Sequence, residues 1–104
     1  MAAAYYRYIG EREKEFIEKQ DMIRSNSKVM FFTPVRYENG EVAQRRLALP
    51  HRPVWRIGPI PESQMPSFDK LPLRVVGPAN GHPGGGVECA TSETVHLFAF
   101  KKLL

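Results

Sequence analysis

The chain has 104 residues, 42% of them apolar and 25% charged, with a formal net charge of +4. That is enough for one small domain with a modest core. A single cysteine excludes an internal disulfide and a multi-cysteine zinc site, and no apolar run approaches the ~18 residues that a bilayer span needs.

A lone cysteine fits a reducing, intracellular compartment. The opening "MAAAYYRYIG" lacks the apolar region of a signal peptide, and acidic residues from Glu11 onward do not suit a mitochondrial presequence. The mitochondrial matrix side and the cytosol are the expected locations.

Residues 3–24 read as one amphipathic helix. Tyr5, Ile9, Phe16 and Ile23 recur at helical spacing with Ile17 beside them. Arg7, Glu11, Glu15 and Lys19 occupy the other faces, spaced for i,i+4 pairing. Gly10 weakens this helix by roughly 1 kcal/mol relative to alanine, which allows the first turns to be a separate piece.

Residues 28–49 predict a β-hairpin. Two β-rich runs flank Asn39-Gly40, the favoured type I′ turn. A two-residue loop there places Tyr37 opposite Val42 and Phe32 opposite Leu47. Pro34 marks its strand as an edge or a bulge.

Residues 50–72 hold six of the nine prolines, interleaved with Val54, Trp55, Ile57, Ile60, Met65 and Phe68. Proline biases its own φ and its predecessor toward extended structure. A disordered linker would be poorer in large apolar groups. The segment therefore predicts an extended arm laid on the chain's own sheet or on another subunit. Trp55, Ile60, Met65 and Phe68 are its expected partner-binding anchors.

Residues 73–104 predict two strands, 73–76 and 94–100, joined by a Gly-rich loop. That loop, "NGHPGGGVECATSE", invites three chemical readings. Phosphate loops need converging backbone N–H groups followed by a helix, but the segment after Gly86 reads as strand. A metal site could draw on His82, Cys89, His96, His51 or Glu93, but the spacing matches no zinc pattern. A nucleophilic Cys89 would need a lowered pKa, and Glu88 and Glu93 act in the opposite sense. No catalytic, cofactor-binding or metal residue is assigned, and the chain is expected to be non-catalytic and free of cofactors.

The charge excess lies in residues 25–60, which carry six bases and two acids. Arg36, Arg45, Arg46, Arg52 and Arg56 near Tyr37 and Trp55 are the expected contacts to an anionic partner, RNA included. The expected fold is α+β: an N-terminal helix on a small, mostly antiparallel sheet, crossed by the proline-rich arm. The expected function is that of an accessory, structural subunit of a large assembly, such as an organellar respiratory complex or a ribosome. It would bind neighbouring protein subunits through the arm and the basic patch. An independent RNA-binding module is the alternative, followed by a small enzyme using the Cys89 loop.

Overall fold

Residues 4–9 form a strand, not the first turns of a helix. The computed structural model describes residues 4–20, 30–64, 73–91 and 99–103. Along the chain run β1 (Ala4–Ile9), α1 (Glu11–Gln20), β2 (Met30–Phe32), α2 (Gly40–Arg46), β3 (Trp55–Pro61), a short 3-10 turn (Glu62–Gln64), β4 (Arg74–Val75), β5 (Val87–Thr91) and β6 (Phe100–Lys102). The strands build two three-stranded antiparallel sheets, ordered β1-β3-β6 and β2-β5-β4. The mixed α+β character expected from the sequence is therefore present.

The expected helix over 3–24 divides at Gly10. Its first part, "AYYRYI", is rich in aromatic and β-branched groups that suit a pleated surface. Both sides of that strand find partners: β3 pairs along one edge, and Tyr6 exchanges two 2.8 Å hydrogen bonds with Thr33 on the other. Helix α1 begins immediately after Gly10, with Glu11 and Glu13 in its first turn and Lys19 in its last, which suits the helix dipole. Ile17 points into the core, whereas Phe16 is exposed. The surface pair that forms is Lys14–Glu18, at 2.9 Å. Ile23 lies outside the described residues.

The expected hairpin over 28–49 is absent. Its first run survives as β2, which pairs with β5 and not with residues 42–49. Asn39 has φ −121° and ψ 127°, an extended conformation unlike the positive φ of a type I′ turn. It caps α2, its Oδ1 accepting from the N–H groups of Glu41 (2.8 Å) and Val42 (3.3 Å). Gly40 occupies the first helical position because an added Cβ would stand 2.4 Å from the Pro53 carbonyl oxygen. The helix closes with the Leu49 N–H on the Gln44 carbonyl at 3.0 Å and Ala48 at φ 49°, a Schellman arrangement with alanine where glycine is usual.

The proline-rich segment is not an external arm over its described part. Residues 55–61 form β3, the central strand of the first sheet. Pro59 is tolerated because the β1–β3 ladder slips there: Tyr5 faces Ile60 but Arg7 faces Ile57, while Pro61 lies at the end of the strand opposite Ala4. Tyr6 thus stands opposite both Gly58 and Pro59, a bulge at which a missing N–H breaks no ladder bond. Gly58, at φ 115°, leaves room for the Tyr5 carbonyl, which an added Cβ would approach to 2.6 Å. Of the expected anchors, Ile60 is 0% exposed in the chain's own core. Trp55 packs at that core's edge, and its indole N–H donates to Glu11 Oε2 at 2.7 Å. Met65 and Phe68 lie outside the described residues.

Two apolar clusters flank β1. Tyr5 and Ile9 join Ile17, Met30, Phe32, Ile57, Ile60 and Cys89 in the larger one. Tyr6 and Tyr8 join Ala43 and Leu103 in the smaller, with Tyr37, Leu47 and Leu49 packed against it. Strand β1 is therefore an internal wall, which explains why its apolar pattern has no polar face.

Strand β4 lies within the expected 73–76. The expected strand over 94–100 meets β6 only at Phe100, since residues 92–98, His96 and Glu93 among them, are outside the described residues. Among the described residues, no helix is long and apolar enough to cross a membrane.

Candidate functional site: a cleft between the two sheets

The two sheets touch through the Tyr6–Thr33 bridge, and among the described residues β1 and β2 share no further bridge. Past that bridge the edges of β1 and β2 are left unpaired to one another, and a cleft of about 450 Å³ opens beside them. That volume falls within the ~300–1,000 Å³ of ordinary small-molecule sites. Strand β1 supplies Tyr6 to Ile9, β2 supplies Phe31 and Phe32, and the loop after α2 supplies Leu47, Leu49 and Pro50 to Pro53. The charged groups on the lining are Arg7, Glu13, Arg52 and Glu88, with His51 beside them.

Arg7 takes the place of the missing ladder. Its Nη1 donates to the Phe31 carbonyl at 3.0 Å. Its Nε and Nη2 both reach Glu13 Oε2 at 2.8 Å. Glu88 on the lining accepts at Oε1 from Arg74, which stands outside the lining, at 3.0 Å from Nη2 and 3.3 Å from Nε, and the Arg74 guanidinium lies 5.7 Å from the exposed Phe31 ring. His51 and Arg52 are exposed on the loop between α2 and β3. The apolar floor and the fixed Arg7 guanidinium suit an amphipathic ligand with an anionic end.

Tyr8 braces the cleft from behind. Its hydroxyl donates to the Val35 carbonyl at 3.0 Å and accepts from the Tyr37 N–H. Burial pushes its pKa up to about 12 despite the Tyr37 N–H bond and the nearby Arg56 charge. It is a structural strut, holding the segment after β2 against the first sheet.

The five arginines singled out from the sequence are not equivalent. Arg56 is buried on β3, 3% exposed, with Nη1 at 3.1 Å from Glu38 Oε1 and 3.4 Å from the Tyr37 carbonyl. Its Nε is buried without a partner. Arg36 meets the same Glu38 oxygen at 2.6 Å. These two bonds hold the Glu38 carboxyl below its ordinary pKa, Arg36 being the larger cause. Arg45 and Arg46 are exposed on the last turn of α2, and only Arg52 lines the cleft.

The triple glycine caps α2. The Gly84 N–H donates to the Arg45 carbonyl and the Gly86 N–H to the Arg46 carbonyl, both at 2.9 Å, and Gly85 bonds Val76 at 2.9 Å. These amides satisfy carbonyls that a helix end otherwise leaves open, so none of the three is presented to an anion. Cys89 is buried and its thiol donates to the Phe32 carbonyl at 3.6 Å. Burial, then the Glu88 charge, pushes its pKa up to about 11, the opposite of what a nucleophile requires. Among the described residues no cluster of histidine, cysteine and carboxylate groups could hold a metal.

Arg7, Glu13 and Glu88 were not singled out as site residues from the sequence; a helix over 3–24 places Arg7 on a solvated face. The run of aromatic residues before Gly10 was the signal that could have found Arg7. The chain matches no family model, no curated protein and no solved structure.

Proposed function

We propose that the protein is a binding module for a small anionic ligand with a flat apolar part, held in the cleft between the two sheets. The observation that carries this reading is the position of Arg7. A guanidinium pinned between the Phe31 carbonyl and Glu13 stands over an apolar floor. Such a group is preorganised for a phosphate or carboxylate, since its planar fork loses little freedom on binding. Phe31, exposed at the mouth, offers a ring face for stacking.

The test is a titration with phenyl phosphate, followed by amide chemical shifts. Shifts confined to β1, β2 and residues 47–53, lost in Arg7→Gln, are expected. Shifts spread over the surface, or unaffected by Arg7→Gln, would remove the reading.

The accessory-subunit role is a second reading. Its external arm is lost over residues 55–61, but β4 favours it from another direction. That strand is a sheet edge on which Val75 is 69% exposed and, next to it, Leu73 is 48% exposed, and exposed apolar edges invite pairing. Co-migration with a large complex from native source tests it, and migration as a free small protein would remove it. The RNA-binding alternative retains Arg45 and Arg46 as surface cations, with Arg56 withdrawn from any surface contact.

A further inference from the structure

We infer that Glu13 is a built-in competitor for the Arg7 fork and sets the charge a ligand must carry to enter the cleft; this rests on the ligand-binding reading above. Two of the guanidinium's N–H groups converge on a single Glu13 oxygen at 2.8 Å, and a third is spent on the Phe31 carbonyl. That is the geometry a bound carboxylate or phosphate would adopt, supplied from within the chain.

The position of Glu13 makes this arrangement durable and reversible. One residue, Gly10, separates β1 from α1, so the first turn of the helix is held against the strand that carries Arg7. The Glu13 side chain is nevertheless 39% exposed, so it can swing into water when displaced. An arriving monoanion exchanges one carboxylate–guanidinium pair for another of the same kind and gains little. A phosphate monoester brings about −1.5 to −2 charges and three strong acceptor oxygens at neutral pH, so it gains on exchange. Glu13 thereby rejects simple carboxylates and admits dianions, a case of specificity obtained through a competing interaction.

Calorimetric titration of phenyl phosphate and benzoate at pH 8 tests this on the whole chain. The proteins compared are the wild type, Glu13→Gln, Arg7→Gln and Glu15→Gln. Glu15 is exposed on the same helix, so its variant makes the same change in net charge away from the fork. The wild type is expected to prefer phenyl phosphate by about tenfold or more, which corresponds to one factor of ten in Kd. Glu13→Gln removes the same exchange cost from both probes, so it should tighten both by a similar, several-fold factor and bring benzoate into the measurable range, with Glu15→Gln leaving both Kd values unchanged. Equal tightening in Glu15→Gln, or unchanged Kd values in Glu13→Gln, overturns the competitor role. If the probes still bind in an Arg7-dependent manner in those cases, the ligand-binding reading survives. Absence of binding in both the wild type and Glu13→Gln overturns both. Thermal transitions of each variant verify folding, and Glu13→Ala, which also vacates the fork, must tighten both probes in the same direction.

Discussion

Alanine placed in turn at Gly81, Gly84, Gly85 and Gly86 separates two costs that a Gly-rich loop combines. Gly81, Gly84 and Gly85 have φ of 77°, 73° and 96°, where a Cβ costs roughly 1–2 kcal/mol. Lower entropy of the unfolded chain returns about 0.4–1 kcal/mol. Gly81 has nothing within 4 Å of an added Cβ, and Gly85 meets only the mobile Arg46 Nη1 at 3.4 Å. Both substitutions should therefore cost about 1 kcal/mol. At Gly84 the Cβ would stand 2.5 Å from the Val76 carbonyl oxygen and 2.7 Å from that of Gly77. Backbone must move, adding roughly 1–3 kcal/mol, and the cap on Arg45 loosens for about another 1 kcal/mol. The expected total is about 3–5 kcal/mol, the sum of these terms. Gly86 lacks a positive φ but crowds the Arg46 carbonyl at 2.9 Å and the Tyr37 hydroxyl at 3.0 Å, for about 1–3 kcal/mol. Urea denaturation reads these differences, since 3 kcal/mol shifts a midpoint by about 1–3 M at the usual slopes. Gly84→Ala no more costly than Gly81→Ala would refute the packing of the loop against residues 76–77 and the end of α2.

Other expectations follow from the same packing. Asn39→Ala should cost about 1 kcal/mol and Asn39→Asp almost nothing, because both native and aspartate side chains cap a helix; chemical denaturation of the pair checks this, and a hairpin turn would not show that order. Ile60→Ala should lose about 2–5 kcal/mol of stability in the isolated chain, whereas an anchor on an external arm would leave the midpoint unmoved. Cys89, with its thiol pushed up to about 11, should resist a thiol reagent at pH 8 and react fully once the chain is unfolded; rapid labelling of the native protein would contradict its burial. Glu38 has a folded pKa below its unfolded value, so its contribution is present above about pH 4.5 and lost as pH falls through the folded value. Thermal melts of Glu38→Gln should show a shallower loss of stability on acidification than the wild type, and identical acid profiles would discount the Arg36–Glu38–Arg56 link.

The segments most legible from sequence were those whose local chemistry and tertiary setting agree. The acidic start and basic end of α1 belong to its local sequence, and so does the short strand after Leu73. Asn39-Gly40 shows the opposite case. Asparagine before glycine serves a hairpin turn or a helix cap equally well. Glu41 in the first turn of α2 and Arg45 and Arg46 in its last were the local signs that favoured the helix.

What the sequence by itself determined is a small α+β chain with one cysteine and a basic middle third. For Tyr5 to Ile9 the aromatic run suited a strand and the apolar spacing a helix, and the tertiary structure decided for the strand by pairing it with β3 and with Thr33. It also decided that Pro59 sits at a bulge inside a sheet and Pro61 at the end of the same strand. The cleft was beyond local reading for the same reason: Arg7, Glu13, Arg52 and Glu88 meet only when two sheets join at one bridge and separate beyond it. Sequence spacing carries periodicity along a single element, whereas the place where two elements diverge is set by long-range pairing.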